Sequence, residues 1–216
     1  MNQSITTLKS NSDFGAATRA NLIAAGRELF GQRGFDGASI RAITRSAGAN
    51  LGAVTYHFGS KRNLYAAVLE EGLRPIARRV TDAVRSGGTA LDRMIRVVEA
   101  YFEHLEEHPD MPQLLLQEVA AGKRPPTVVF EVISTVKTSL VELHAEGVRE
   151  GSIRPGHPLL SALSVVSQPL YLALVSPLLK TVGGLDLADP AARKTTVQHV
   201  AAFVRAGLEP RGGERT

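Results

Sequence analysis

Apolar residues recur every three or four positions from about residue 17 to residue 207, and this helical spacing constrains the fold more than any other feature. In the segment 17–33, for example, Leu22, Leu29 and Phe30 fall on one helix face. The same spacing predicts helices over 39–47, 51–57, 61–86, 89–108, 111–121, 127–150, 159–182 and 190 to about 207. No segment alternates as a strand does and no internal repeat is found, so the predicted class is all-α.

Glycine, proline and capping residues separate the predicted helices. Gly34 follows the first helix and Gly48 the second, at positions where glycine tolerates the left-handed conformation that ends a helix. Pro75 lies inside 61–86 and predicts a kink or a split there, since proline lacks the backbone N–H. The predicted N-caps are Ser39, Asn50, Ser60 and Asp189.

Composition excludes several classes of protein. The chain has 216 residues and 44% of them are apolar, which is enough for a packed core and too many for a disordered chain. It has no Cys, so a disulfide scaffold, a thiolate zinc site and a cysteine nucleophile are excluded. Aromatic residues make up only 5% and Trp is absent, which disfavours stacking platforms for single-stranded nucleic acid.

The predicted organisation is two helical domains between two polar tails. We expect a flexible tail over 1–16, a small domain over 17–62, a larger domain over 63–207 and a loose tail over 208–216. The N-terminus has no apolar core of a signal peptide, and we find no run of about 20 apolar residues. We therefore expect no membrane span and a cytoplasmic protein.

Two short predicted helices, 39–47 and 51–57, are joined by only the three residues Gly48-Ala49-Asn50. Two short helices with a tight turn that contains glycine are typical of a helix-turn-helix, in which the first helix supports the second. The second helix of such a motif exposes side chains that reach base edges in the major groove. This spacing predicts binding to double-stranded DNA.

The residues around this turn resemble those of a known family. The text L-F-x-x-x-G-F-D-G-x-S-I-R-x-I-x-x-x-A-G runs from Leu29 to Gly48, and the most specific stretch is Tyr56-His57-Phe58-Gly59-Ser60-Lys61. On these residues, 17–69 resembles the N-terminal domain of TetR-family transcriptional regulators, over about 50 of the 216 residues. The resemblance implies a helix-turn-helix domain joined through the helix 61–86 to a larger helical domain that binds a ligand and dimerises.

The resemblance also implies which residues meet DNA. Gly52 allows a close backbone approach, Ala53 and Thr55 meet bases, and Tyr56 and His57 touch phosphates or bases. Ser39 and Lys61 match positions that hold phosphates, and both residue types fix register without reading sequence. From the residues themselves we add Arg41 and Arg45 as phosphate contacts. The full predicted set is Ser39, Arg41, Arg45, Asn50, Leu51, Gly52, Ala53, Thr55, Tyr56, His57 and Lys61.

Two positions depart from the family pattern. The family often has a basic or polar residue where Leu51 stands, and an acid where Ala42 stands. Neither Leu51 nor Ala53 can donate a hydrogen bond, so we expect readout to depend on thymine methyl contacts and on DNA shape.

In the larger domain the resemblance implies an effector site and a dimer interface. The predicted lining residues of a largely apolar small-molecule pocket are Tyr101, Leu105, Leu115, Phe130, Val136, Gln168 and Tyr171. Helices 159–182 and 190–206 are expected to pack against their copies in a second subunit. The segment 159–182 is apolar nearly all round, and such a helix must be covered on most sides.

Two alternatives remain open beside a ligand-released repressor. One is a helical carrier or enzyme with an incidental helix-turn-helix, and the other is a non-specific DNA-binding protein. The chain has no H-E-x-x-H, Walker-type loop or G-x-S-x-G, and no spacing sets a nucleophile beside a base, so we expect neither an enzyme nor a cofactor. His104 and His108 lie one helical turn apart, but we expect no metal site there.

The net charge of +4 is unevenly distributed along the chain. Residues 1–79 carry 11 Lys and Arg against 5 Asp and Glu, whereas residues 80–216 carry 14 against 16. The positive charge is therefore concentrated in the part with the helix-turn-helix, which suits binding dominated by phosphate contacts.

Overall fold

The computed structural model describes residues 3–122 and 124–211, with side chains from Phe14 onward. Nine α-helices and no strand are found within these residues, which confirms the all-α class. The helices are α1 (Gln3–Gly37), α2 (Ile40–Ser46), α3 (Ala53–Phe58), α4 (Lys61–Arg85), α5 (Ala90–Glu107), α6 (Met111–Ala120), α7 (Thr127–Glu150), α8 (Pro158–Val182) and α9 (Pro190–Leu208).

The chain divides into two compact units. The small unit comprises the chain up to Glu71 together with Leu116–Pro126, and the large unit comprises Gly72–Leu115 and the chain from Thr127 onward. The boundary in α4 therefore lies nine residues later than the predicted domain boundary at 62/63. The sequence prediction also missed that the end of α6 and the loop after it belong to the small unit.

Most local signals in the sequence correspond to observed helix boundaries. Gly34 and Gly48 have φ of 69° and 63°, as the predicted helix ends require. Backbone amides donate to the predicted caps: Ala42 N to Ser39 Oγ at 3.1 Å, Asn63 N to Ser60 Oγ at 3.1 Å and Ala192 N to Asp189 Oδ2 at 2.8 Å.

Two predicted boundaries are wrong. The polar segment predicted as a flexible tail is helical from Gln3. Helix α3 begins at Ala53 rather than at residue 51, and Asn50 accepts from Ala53 N through its backbone carbonyl instead of capping with its side chain. The predicted break at Gly34 is a kink, after which α1 continues to Gly37. Of the kink or split predicted at Pro75, the split is absent, and the kink stays a prediction. Of the predicted C-terminal tail, residues 212–216 lie outside the described residues.

The small unit has its own apolar core. Phe30, Ile43, Val54 and Leu64 are fully buried and come from α1, α2, α3 and α4. The ring of Phe30 also packs edge-on against Tyr65, with centroids 4.8 Å apart. Helix α3 packs on α1 and α2, so the short helix does not depend on its intrinsic stability.

The large unit is built around α5, which packs against α7, α8 and α9. The buried face of α5 includes Met94, Val97 and Val98, and Thr89 and Asp92 form a capping box at its start. Ion pairs tie the outer surface of α4 to α5, since Arg79 bonds both Glu103 at 2.9 Å and Glu107 at 2.6 Å.

Helix α8 leaves much of its apolar surface uncovered. By length and composition alone it is apolar enough to cross a membrane, although we predicted no such segment from the sequence. Only 17% of its most apolar window is buried within the chain, and Pro169 and Pro177 lie inside the helix. Length and composition do not distinguish a membrane span from a helix covered by another protein chain.

A close approach at Gly147 in α7 gives a direct test of the packing. A Cβ built on Gly147 would lie 2.5 Å from Cδ1 and 2.9 Å from Cβ of Ile153, a fully buried and stiff side chain. We expect Gly147→Ala to lower the free energy of unfolding by about 1–3 kcal/mol, measured by urea denaturation.

The matched control is Gly207→Ala in α9, where an added Cβ would meet nothing within 4 Å. It should be neutral or should raise the free energy of unfolding by about 0.5–1 kcal/mol, because alanine favours the helix. Equal stability of the two variants would contradict the packing at Gly147.

Candidate nucleic-acid interface

Helices α2 and α3 form the predicted helix-turn-helix. Ser39 is extended and accepts from Ala42 N, which starts α2. After α2 the chain reverses at Gly48, whose positive φ lets Ala49 N donate to Thr44 O at 2.9 Å. Because α3 then packs on α1 and α2, its outer face has a fixed orientation within the small unit.

The exposed residues of α2 with its N-cap, of α3 and of the turn between the two helices form the candidate DNA-facing surface. Tyr56 is 85% exposed and Leu51 is 54% exposed, a level unusual for such apolar side chains. The other predicted residues on this surface that are exposed are Ser39, Arg41, Arg45, Asn50, Gly52 and Thr55. His57 and Lys61 are half-buried.

Ala53 does not share that exposure. It is only 6% exposed and lies beside the fully buried Val54, on the face of α3 that packs against the rest of the small unit. The prediction that its side chain meets a base therefore does not hold, because a side chain on the inner face of α3 cannot reach a groove.

Two cations of the small unit lie over aromatic rings. The ammonium group of Lys61, the first residue of α4, lies 4.6 Å from the ring centroid of Phe35 in α1. The guanidinium of Arg19 lies 5.2 Å from the ring centroid of Phe58, the last residue of α3, although the sequence prediction did not include Arg19. A cation over an aromatic face is attracted by the ring and is restricted in position. The Arg19 charge is thereby placed at the end of α3, and the Lys61 charge at the start of α4.

The positive surplus follows the structural units as well as the sequence. The small unit carries 10 Lys and Arg against 6 Asp and Glu, whereas the large unit carries 15 of each. The whole surplus of four positive charges therefore belongs to the unit that contains α3. Such a surplus attracts a polyanion and makes its binding dependent on salt.

The end of α6 is bonded to α1 and α4 within the small unit, which the sequence analysis missed. The hydroxyl of Tyr65 donates to Glu118 Oε1 at 2.7 Å, and Gln117 Nε2 donates to Gly31 O at 3.2 Å. Burial and the hydrogen bond to the Glu118 carboxylate raise the pKa of Tyr65, so the phenol stays protonated. These partners are 53 and 86 positions apart in the chain, and no local pattern indicates them.

Of the seven residues predicted to line an effector pocket, Leu105 lines one cavity of the large unit and Gln168 lines another. Tyr101, Leu105 and Val136 are buried, Leu115 and Gln168 are half-buried, and burial raises the pKa of the Tyr101 phenol. Phe130 and Tyr171 are 53% and 63% exposed, so neither lines an internal cavity. The Gln168 amide donates to Ser164 O of its own helix at 3.4 Å.

An apolar cavity of about 420 Å³ lies in the large unit between α5, α8 and the loop that follows α8. Of the predicted lining residues it contains Leu105, which is joined by Phe102, Pro109, Pro177 and Leu187. We call it the α5–α8 cavity.

Two ion pairs lie at the edge of the α5–α8 cavity. Arg193 bonds Glu106 at 2.7 Å, and Lys180 bonds Asp186 at 2.7 Å. The hydrogen bond between Lys180 and Asp186 raises the pKa of Lys180 and lowers the pKa of Asp186. An apolar cavity with a few charged groups at its edge is typical of small-molecule sites.

His104 and His108, the histidine pair singled out in the sequence, lie with ring centroids 4.7 Å apart. His104 is buried. Among the described residues, no group of three or more His, Cys, Asp or Glu has a geometry that could hold a metal ion.

Comparisons with known proteins agree with this geometry. A family model described as "Bacterial regulatory proteins, tetR family" matches residues 22–68, and one described as "Tetracyclin repressor-like, C-terminal domain" matches residues 91–204. The HTH-type transcriptional regulator RutR of Escherichia coli K12 is 26% identical over 199 residues, covering 91% of this chain and 92% of RutR.

Further similar proteins include the HTH-type transcriptional activator FasR of Mycolicibacterium smegmatis, 29% identical over 138 residues, covering 58% of this chain and 62% of FasR. Among solved structures, the ketosteroid transcriptional regulator KstR2 of Mycobacterium tuberculosis superposes with a TM-score of 0.74 at 21% identity, covering 89% of this chain and 95% of that one. This last likeness concerns the fold.

Proposed function

Since the chain belongs to the tetR family of bacterial regulatory proteins and is a DNA-binding transcriptional regulator, we propose that it is a cytoplasmic repressor that a small-molecule effector releases from a pseudo-palindromic operator. The observation that carries the proposal is the exposed outer face of α3 in the unit that holds the whole positive surplus. The similar proteins RutR and KstR2 are a transcriptional regulator and a transcriptional repressor, which argues against the alternative of an enzyme or carrier.

In the proposed complex, α3 enters the major groove and the residues around it fix its register. Tyr56, Thr55 and Leu51 meet base edges, Leu51 through thymine methyl groups. Gly52 allows the backbone to approach the DNA closely. The residues proposed to contact phosphates are Ser39, Arg41, Arg45, Asn50, His57 and Lys61, with Arg19 added from its position beside Phe58.

The exposed apolar surface of α8 supports a homodimer. Its large exposed apolar residues include Leu160, Leu163, Tyr171, Leu178 and Val182, and α9 adds Phe203. The five side chains named on α8 lie within about a third of the circumference of that helix. We propose that α8 and α9 pack against their copies in a second subunit and give a four-helix interface. Two-fold symmetry then presents two copies of α3 to two half-sites.

We propose the α5–α8 cavity as the effector site. Phe102 and Leu105 are buried residues of α5 that supply apolar walls, so the effector should be largely apolar. At the edge of this cavity, Lys180–Asp186 ties the loop after α8 to the end of α8, and Arg193–Glu106 ties α9 to α5. An effector that binds one conformation of the large unit better than the other shifts the population between them.

Helix α4 is the proposed route from effector to DNA, with Pro75 as its pivot. Pro75 has no N–H, so the carbonyl of Glu71 lacks its usual partner and the helix can bend there at lower cost. A change in the tilt of α4 alters the spacing between the two copies of α3, and operator affinity falls.

Replacing Pro75 by Ala restores the missing donor and stiffens α4. We expect operator affinity within about threefold of the unchanged protein, but at least tenfold weaker release by effector, measured by fluorescence anisotropy. Unchanged operator binding together with unchanged release would remove Pro75 as the pivot.

The proposed function is tested by a mobility-shift experiment with the DNA flanking the gene of this protein. We expect a discrete complex that survives an excess of unrelated competitor DNA and weakens steeply as salt rises. Absence of a complex at any salt concentration would favour a carrier or an enzyme. A complex that the competitor abolishes would favour non-specific DNA binding.

A further inference from the structure

A second cavity of the large unit, separate from the α5–α8 cavity, has a chemistry of its own. It lies between α8, α9 and the loop that follows α7, has a volume of about 420 Å³ and shares no lining residue with the α5–α8 cavity. We call it the α8–α9 cavity. Its lining is Arg154, Pro155, Gly156, His157, Leu160, Ser161, Ser164, Val165, Gln168, Val204, Gly207, Leu208 and Arg211.

The floor of the α8–α9 cavity is apolar. Val165 of α8 and Val204 and Leu208 of α9 are buried residues that line it. Hydroxyl groups of Ser161 and Ser164 line the same cavity beside them. The floor can therefore cover a short apolar chain, and a few polar groups remain to orient a ligand.

Two guanidinium groups line the same cavity without carboxylate partners. Neither Arg154 nor Arg211 forms an ion pair within the described part of the chain, whereas Arg193 and Arg205 of the same unit do. Arg154 is half-exposed and Arg211 is exposed, and two cations that line one cavity favour an anion there. The charge of the cavity calls for an anion.

The wall that carries Arg154 is rigidly built. Arg154 N donates to Leu208 O at 2.8 Å, which ties the loop after α7 to the end of α9. The preceding Ile153 is fully buried against Gly147, and its N–H donates to Gly147 O at 3.0 Å. A site whose walls are already in place costs less conformational entropy to occupy.

A buried polar group without a partner lies beside this wall. His144 is fully buried, and neither ring nitrogen has a hydrogen-bond partner among the described residues. A Cβ built on Gly156, a lining residue, would lie 3.9 Å from His144 Nε2. A buried imidazole without a hydrogen-bond partner among the described residues therefore lies next to a residue that lines the cavity.

We infer that the α8–α9 cavity is a second small-molecule site, which takes an anionic amphiphile. The carboxylate of such a ligand pairs with Arg154 and Arg211, because guanidinium groups bind carboxylates through parallel hydrogen bonds. Its apolar tail covers Val165, Val204 and Leu208. A neutral ligand of the same shape leaves both cations without a counter-charge and is rejected.

Isothermal titration calorimetry of the full chain with octanoate, and with 1-octanol as the neutral probe of equal length, tests the inference. We expect octanoate to bind at least about tenfold more tightly than octanol. Arg154→Gln and Arg211→Gln should each weaken octanoate binding about tenfold. The matched control Lys194→Gln removes an exposed cation of α9 that does not line the cavity, and binding should be unchanged.

A variant that fills the cavity locates the site. Gly207 has ordinary φ and open space around an added Cβ, so Gly207→Leu should occupy the cavity and abolish octanoate binding while the circular dichroism spectrum and the dimer persist. Ser164→Leu in α8 fills the same cavity and is the second filling variant, to be used if Gly207→Leu does not fold.

Several outcomes overturn the inference. They are equal affinity for octanol and octanoate, no binding at millimolar octanoate, no effect of the two arginine substitutions, and binding that survives both filling variants. Dissociation of the dimer by both filling variants would show that side chains of the second copy occupy the cavity instead. Operator binding is measured separately, so failure here leaves the proposed function intact.

Discussion

Replacing Tyr171 and Leu178 together by Asp should convert the protein from a dimer to a monomer and lower operator affinity by at least about 100-fold. Both side chains are exposed and lie two helical turns apart on one face of α8. Each Asp places a charge where the second subunit would otherwise cover apolar surface, and burying an unpaired carboxylate is costly. A monomer then binds one half-site only. It loses the gain in effective concentration that a dimer has because its two copies of α3 are joined.

Sedimentation velocity measures the oligomeric state and fluorescence anisotropy measures operator affinity. The matched control is the pair Phe130→Asp and Ile133→Asp, which introduces the same charges at exposed apolar positions of α7. We expect the control to remain dimeric and to bind operator normally. A dimeric Tyr171→Asp/Leu178→Asp variant would contradict an interface through α8, and a control that dissociates would place the interface on α7.

Removing Tyr56 and Lys61 together should weaken operator binding by about 100-fold or more, because each lost groove or phosphate contact costs about 1–3 kcal/mol. Tyr56 is the most exposed large side chain of α3, and the ring of Phe35 in α1 restricts the Lys61 ammonium group at the start of α4. Neither side chain belongs to the buried core of the small unit, so Tyr56→Ala and Lys61→Gln should leave the melting temperature nearly unchanged.

The two substitutions should also differ in their salt dependence. Lys61→Gln removes a phosphate contact and should reduce the slope of log affinity against log salt by about one, whereas Tyr56→Ala should leave the slope almost unchanged. Arg85→Gln, an exposed cation at the end of α4 in the large unit, is the matched control and should alter neither affinity nor slope. Undiminished affinity of the double variant would contradict the proposed docking of α3.

Local chemistry made the helices and the helix-turn-helix predictable from the sequence. Gly48 supplies a positive φ that other residues adopt at a cost, and Ser39, Ser60 and Asp189 accept backbone hydrogen bonds within three residues. Such signals act over one helical turn, so residues close together in the sequence are enough to predict them. They also determine where α3 lies relative to α2, and hence most of the candidate DNA-facing surface.

Two features of the structure could not be predicted from the sequence. One is contacts between residues distant in the chain, and the other is which face of a helix is covered. The bonds Tyr65–Glu118 and Gln117–Gly31 assign the end of α6 to the small unit, and nothing near these residues in the chain indicates their partners. Helical spacing alone does not distinguish a face covered by the same chain from a face left open. For that reason Tyr171 could be taken for a pocket residue although it is exposed.

Selection of binding sites from random duplex DNA by the full-length protein tests the central claim most directly, since it assumes no operator. We expect enrichment of one pseudo-palindrome, whose two half-sites have centres about 10 base pairs or a multiple apart. The protein should bind this sequence at least about a thousandfold more tightly than bulk DNA. Enrichment of no sequence, or of a single half-site without its inverted copy, would contradict a dimeric regulator that reads DNA through α3.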